Sequence, residues 1–129
     1  MGLEDDKKHP RGVLKAFDDE YISWIKEKHQ EAVKRRRALT KPVPGDEEDR
    51  ARYNREQNTI DVVVALEIVR AVRIGTPLES IRKGIGWRSF DRYRQMFIWE
   101  PAARAWMLDR DYVDLVDFSV PPQGPFALD

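Results

Sequence analysis

Three side chains near position 90 carry the most specific chemistry in this sequence. Arg88, Arg92 and Gln95 fall at i, i+4 and i+7, so a helix through them sets all three on one face. Two guanidinium forks suit guanine edges or phosphates, and a carboxamide suits adenine. Asp91 and Arg94 flank that face, with Asp91 placed to hold an arginine in position. A second basic cluster, Lys34, Arg35, Arg36 and Arg37, offers adjacent cations to phosphates, or equally compensates the negative end of a helix.

Other chemistries find less support. Asp111, Asp114 and Asp117 recur every third residue with Asp109 nearby, but metal-dependent nucleases need carboxylates converging from several elements. The series reads as a solvated or subunit-contact face, and no metal is expected. His9 and His29 have no Ser, Cys or His partner close in sequence, so nucleophilic catalysis has no visible machinery. The chain has no cysteine, which excludes disulfides, thiolate zinc sites and a thiol nucleophile. Neither a phosphate-loop nor a dinucleotide glycine string occurs, so no cofactor is expected and an enzyme is the least supported class.

The elements that must position Arg88, Arg92 and Gln95 follow from hydrophobic spacing and turn chemistry. With 129 residues the chain suffices for one core, hiding roughly two thirds of its unfolded surface. Residues 1–16 contain Gly2, Pro10 and Gly12 without periodicity and read as a disordered arm. Asp18, Asp19 and Glu20, then Tyr21, Trp24 and Ile25, predict a helix over 18–39, stopped near Thr40 by KPVPG. Asp46–Asp49 open a charged stretch that is either an exposed helical turn or a linker.

From Thr59 the run IDVVVALEIVRAVRI is too long for an ordinary strand and predicts a helix ending at Gly75. Asp61, Glu67, Arg70 and Arg73 form its one polar stripe, so the helix needs two apolar neighbours, one of which can be another copy of the chain. Thr76 is placed to cap a short helix beginning with Leu78, Ile81 and Arg82; GIGW at 84–87 reads as a turn. A third helix opens at Ser89, with Phe90, Tyr93 and Phe97 facing inward. Pro101 then restarts a fourth helix, and Phe118 and Val120 allow one short strand before a Pro-rich tail. Trp24, Trp87, Trp99 and Trp106 read as core or interface anchors in preference to base-stacking platforms, with Trp87, just before the recognition helix, the exception.

Charge is arranged in blocks. Net charge is zero, from 23 basic and 23 acidic groups, yet residues 26–41 and 70–104 each sum to +5 between acidic flanks. Such blocks either pair between protomers while leaving a basic face for a polyanion, or are solvated helix faces. The longest apolar run, Val62 to Leu66, is five residues, too short for a membrane span or a secretory leader.

Helix, short helix, glycine turn and cationic third helix make a helix-turn-helix pattern at about 60–98. Residues 68–112, IVRAVRIGTPLESIRKGIGWRSFDRYRQMFIWEPAARAWMLDRDY, resemble the helix-turn-helix segment of the small terminase subunits of tailed bacteriophages. Gly75, Leu78 to Lys83, Gly84 to Trp87, Ser89 to Phe97 and Pro101 to Arg110 stand where that family has its helix end, second helix, turn, recognition helix and following helix. The resemblance covers about a third of the chain, and its motif is shared with transposases, resolvases and other phage regulators.

The resemblance implies a non-enzymatic component of a viral genome-packaging motor in the host cytoplasm. Its partners would be double-stranded DNA, the large terminase subunit and further copies of itself in a ring, with no membrane. Arg88, Ser89, Arg92, Arg94 and Gln95 would contact DNA from the recognition helix, Lys83 would meet a phosphate near its start with Arg82 beside it, and Lys34 to Arg37 would add a basic band. The expected fold is mainly α, a helix-turn-helix plus a helical oligomerisation segment, with one short C-terminal strand. Its parts are a 1–16 arm, a 17–58 oligomerisation or linker segment, a 59–117 DNA-binding part and a 118–129 strand or tail. Many family members open with the DNA-binding segment, whereas here 58 residues precede it, so 18–39 and about 46–74 become the ring-forming helices. A dimeric helix-turn-helix transcriptional regulator and a scaffold with a solvated basic helix remain the alternatives.

Overall fold

The computed structural model describes residues 2–119, with side chains from Phe17 onward. Its elements are α1 (Gly2–Ala38), α2 (Glu47–Arg73), α3 (Leu78–Ile85), α4 (Trp87–Arg94), β1 (Phe97–Glu100), β2 (Ala105–Leu108) and α5 (Arg110–Val113). The fold is mainly α, with two short strands in the C-terminal half.

α2 is the spine. The Asp46 carboxylate accepts from the Asp49 amide at 3.0 Å, and Glu47, Glu48 and Asp49 fill the first turn, where the helix dipole favours anions. The charged stretch after it, expected as a turn or a linker, is continuous helix. Arg52 pairs with Asp49 at 2.7 Å and with Glu56 at 3.0 Å. Exposed pairs of this kind add little, so the packed second half of α2 must propagate the helix backward. The same cooperativity carries the backbone of α1 out to Gly2, through the segment expected as an arm.

The second half of α2 is enclosed. Ile60, Val62, Val64, Ala65, Ile68 and Val69 meet Tyr21 and Ile25 of α1, Ile81 of α3, Phe90 and Tyr93 of α4, and Phe97 of β1 in one core. Ile25 and Ile68 are fully buried, and each such side chain contributes about 1.5–3 kcal/mol. Of the polar stripe on α2, Asp61 and Glu67 are buried, at 1% and 5% exposure, while Arg73 is exposed. α1, α3, α4 and the strands supply neighbours to α2, and Val63 on it remains exposed.

The turn between α2 and α3 differs from the expected cap. Gly75, at φ 109°, closes α2, and the Thr76 amide donates to the Ala71 carbonyl at 3.0 Å. Thr76 is thereby buried, and Pro77 takes the capping position of α3 without a side-chain bond. The turn expected over residues 84–87 shrinks to Gly86, because Gly84 and Ile85 continue α3. Gly84 is needed for packing: a Cβ there would lie 2.4 Å from Ile22 Cγ2 of α1.

Beyond α4 the expected helices give way to a hairpin. α4 ends at Arg94, and Phe97, expected on its inner face, starts β1 and is buried there. Pro101 to Arg104 form the turn, and β1 pairs with β2 antiparallel in the register Phe97↔Leu108 and Trp99↔Trp106. Trp106 packs edge-on to Phe97 and to Trp99, each at 5.7 Å between ring centroids. Those cross-strand aromatic contacts outweigh the helix propensity of the alanines after Pro101. Phe118 lies in a turn, not a strand, and Val120 is outside the described residues.

Candidate nucleic-acid interface

The two basic segments meet at one carboxylate. Asp61, on the enclosed half of α2, takes Arg36 Nη1 of α1 on Oδ1 and Arg92 Nε of α4 on Oδ2, the latter at 2.6 Å. The Lys34–Arg37 run and the cationic helix α4 are therefore anchored side by side on α2. Burying a carboxylate alone is costly, and two guanidinium partners with charge-assisted hydrogen bonds offset that cost.

A second layer tightens this junction. Arg36 Nη1 also donates to the Tyr93 hydroxyl at 3.4 Å, and that hydroxyl lies 2.6 Å from His29 Nδ1. An arginine can only donate, so the Tyr93 oxygen accepts from it, and the Tyr93 hydroxyl and His29 Nδ1 share the other hydrogen bond. Burial, followed by the charge of Arg36, lowers the His29 pKa below the usual 6.5. Burial raises the Tyr93 pKa against the pull of Arg36. For Arg36, burial acts to lower the pKa, but bonds to Tyr93 and Asp61 leave it raised, so it stays a cation.

Around this centre the sequence-predicted contact residues divide into tethered and free. Arg92 is half-buried on Asp61, and Arg36 is more deeply placed on the same group. Arg94 donates to the Phe97 carbonyl at 2.8 Å and lies over Trp106 at 4.6 Å, which fixes the hairpin to α4. Gln95 donates to the Arg92 carbonyl at 3.1 Å, closing the end of α4. Arg82 pairs with Glu79 at 2.8 Å. Lys34, Arg35, Arg37, Lys83 and Arg88 are exposed and make no ion pair among the described residues, while Ser89 is half-buried. The inner arginines thus hold the scaffold, and the outer cations face solvent.

Sequence reasoning missed Asp61, Tyr93 and His29 as members of this junction. The available signal was Asp61 inside the apolar run 60–66, since an acid there needs a cation, but nothing local says which. Glu67, also buried on α2, follows the same rule. It accepts from Trp24 Nε1 at 3.1 Å and Tyr21 at 3.4 Å, and pairs with Arg70 at 2.8 Å. Burial, then the negative charge of Glu67, pushes the Tyr21 pKa up to about 12.

The acidic series near the C-terminal end is used locally. Asp109 accepts from the Asp111 amide at 3.0 Å, and Asp117 accepts from the Ser119 hydroxyl and then from the Ser119 amide at 3.0 Å, which hold the Asp117 carboxyl below its usual range. Among the described residues, no three acidic or histidine side chains converge as a metal site, and no helix is long and apolar enough to cross a membrane. Comparison with family models, with curated proteins and with solved structures returns no match for this chain.

Proposed function

We propose that this protein binds double-stranded DNA on the surface shared by α4 and the C-terminal end of α1. We propose further that it is the small, DNA-recognising subunit of a bacteriophage packaging motor. The observation that supports DNA binding is the Asp61 bridge, which joins two basic segments far apart in sequence. The end of α1 that carries Lys34, Arg35 and Arg37 is thereby held beside α4, which carries Arg88, and contacts of these cations to phosphates would add. A ring of such protomers would multiply that surface into a basic band, so weak contacts per subunit would suffice. The packaging assignment, its ring, its large-subunit partner and its place in the host cytoplasm rest on the sequence resemblance.

The test is fluorescence anisotropy on a labelled duplex across a salt series. Removing one phosphate contact lowers the slope of log affinity against log salt by about 0.9. Arg88→Ala is expected to lower it by about one and Lys34→Ala/Arg35→Ala/Arg37→Ala by about two to three, with mass and helix content unchanged. Arg92 is unsuited to this test, because its removal strands Asp61. No binding of duplex at low salt overturns the DNA assignment. Native mass spectrometry separates the assemblies: a closed ring supports the packaging role, and a dimer replaces it with recognition of two half-sites.

A further inference from the structure

Trp87 is the first residue of α4 and is 63% exposed, more than any other described tryptophan. It is nevertheless held in place. The Arg82 guanidinium carbon sits 4.2 Å from the centre of its ring, and Arg82 Nη2 is tied to Glu79 Oε1 at 2.8 Å. Arg82 Nε is buried and has no hydrogen-bond partner among the described residues, so this arginine gives up hydration to remain against the indole. Gly86, at φ 94° and ψ 147°, holds a backbone state that essentially only glycine adopts, and it sets the direction in which α4, beginning with Trp87, departs from α3.

One face of the indole is therefore backed by a cation, and the exposed remainder of the ring is left to solvent. Lys83 and Arg88, four residues before and one after, are exposed and make no ion pair among the described residues. A flat, pre-oriented aromatic beside free cations matches a flat π-system attached to phosphates, and little ordering entropy is lost on contact. In paired DNA the base faces are already stacked. The available ligand is a base that has left the stack.

We infer that Trp87, backed by Arg82, is a stacking platform for an unpaired base within otherwise double-stranded DNA, with Lys83 and Arg88 on the flanking phosphates. This rests on the reading that the chain binds DNA and names the kind of DNA it selects: duplex interrupted by a bulge, mismatch or strand opening.

The experiment compares the full chain on two labelled duplexes of equal length, one fully paired and one with a single-nucleotide bulge carrying 2-aminopurine, whose fluorescence falls on stacking. Stacking of one base is worth about 1–3 kcal/mol, so the bulged duplex is expected to bind at least about fivefold tighter. Trp87→Ala should remove that preference and the fluorescence loss, while affinity for the paired duplex stays within about twofold. Trp87→Tyr should keep most of both, which also covers any folding defect of the alanine variant. Equal affinity for the two duplexes, or a preference that persists in Trp87→Ala, overturns the platform while leaving DNA binding intact; Trp87 would then be an apolar contact for a protein. Failure to bind either duplex at low salt overturns both.

Discussion

Asp61→Asn should be among the most damaging isosteric changes in this protein. The side chain is 1% exposed and joins Arg36 of α1 to Arg92 of α4. Asparagine keeps the volume and one acceptor but withdraws the charge that lets two guanidinium groups approach each other. Removing one member of a buried pair costs about 3–5 kcal/mol. The Arg92 side chain is 37% exposed and can rehydrate, whereas Arg36 at 15% cannot do so fully. The cost is therefore at the lower end, about 3 kcal/mol, most of it from the Arg36 side. With a urea slope of about 1.5 kcal/mol/M the unfolding midpoint falls by about 2 M. A double-mutant cycle with Arg36→Met should give a coupling of about 2 kcal/mol, and one with Arg92→Met about 1 kcal/mol. A midpoint shift under about 0.5 M would refute the junction as an anchor, as would a larger coupling to Arg92 than to Arg36.

Two further outcomes follow from the packing around that junction. Gly84→Ala gains about 1 kcal/mol of helix propensity but drives a methyl into Ile22 Cγ2, an overpacking cost of about 1–3 kcal/mol. Thermal unfolding should show a net loss of about 4 °C, relieved in an Ile22→Ala background, and a raised midpoint in the single variant would contradict the seating of α3 on α1. His29 binds its proton less readily in the folded chain than in the unfolded one, so its contribution is present above pH 6.5 and is lost as pH falls below it. Urea midpoints at about pH 7.5 and about pH 5 should therefore diverge in the wild type and converge partly in His29→Gln, and equal pH sensitivity in both would exclude His29 as the responsible group.

Much of the local structure could be read from the chain. The KPVPG stop after α1, the end of α2 at Gly75 and the inward faces of Phe90 and Tyr93 follow from proline and glycine geometry and helical spacing. These signals lie within a few residues of what they specify. The hairpin failed on the same terms: Pro101, Ala102 and Ala103 resemble a helix start, and the deciding contacts of Trp106 with Phe97 and Trp99 appear only once the strands pair. Of the candidate surface, the cationic residues were legible as types. Their division into tethered and free was not.

The sequence by itself determined the mainly helical class, where α1 and α2 end, where α3 begins and the two basic segments, because propensity, turn chemistry and charge act locally. Only the tertiary structure decided that Asp61 joins those segments, that Arg92, Arg94 and Gln95 serve the scaffold, and that Trp87 stands exposed on Arg82. A carboxylate buried in α2 must find cations, and the chain offers 23 of them. Which two it takes depends on how α1 and α4 pack against α2, a property of the whole core and not of any window of sequence.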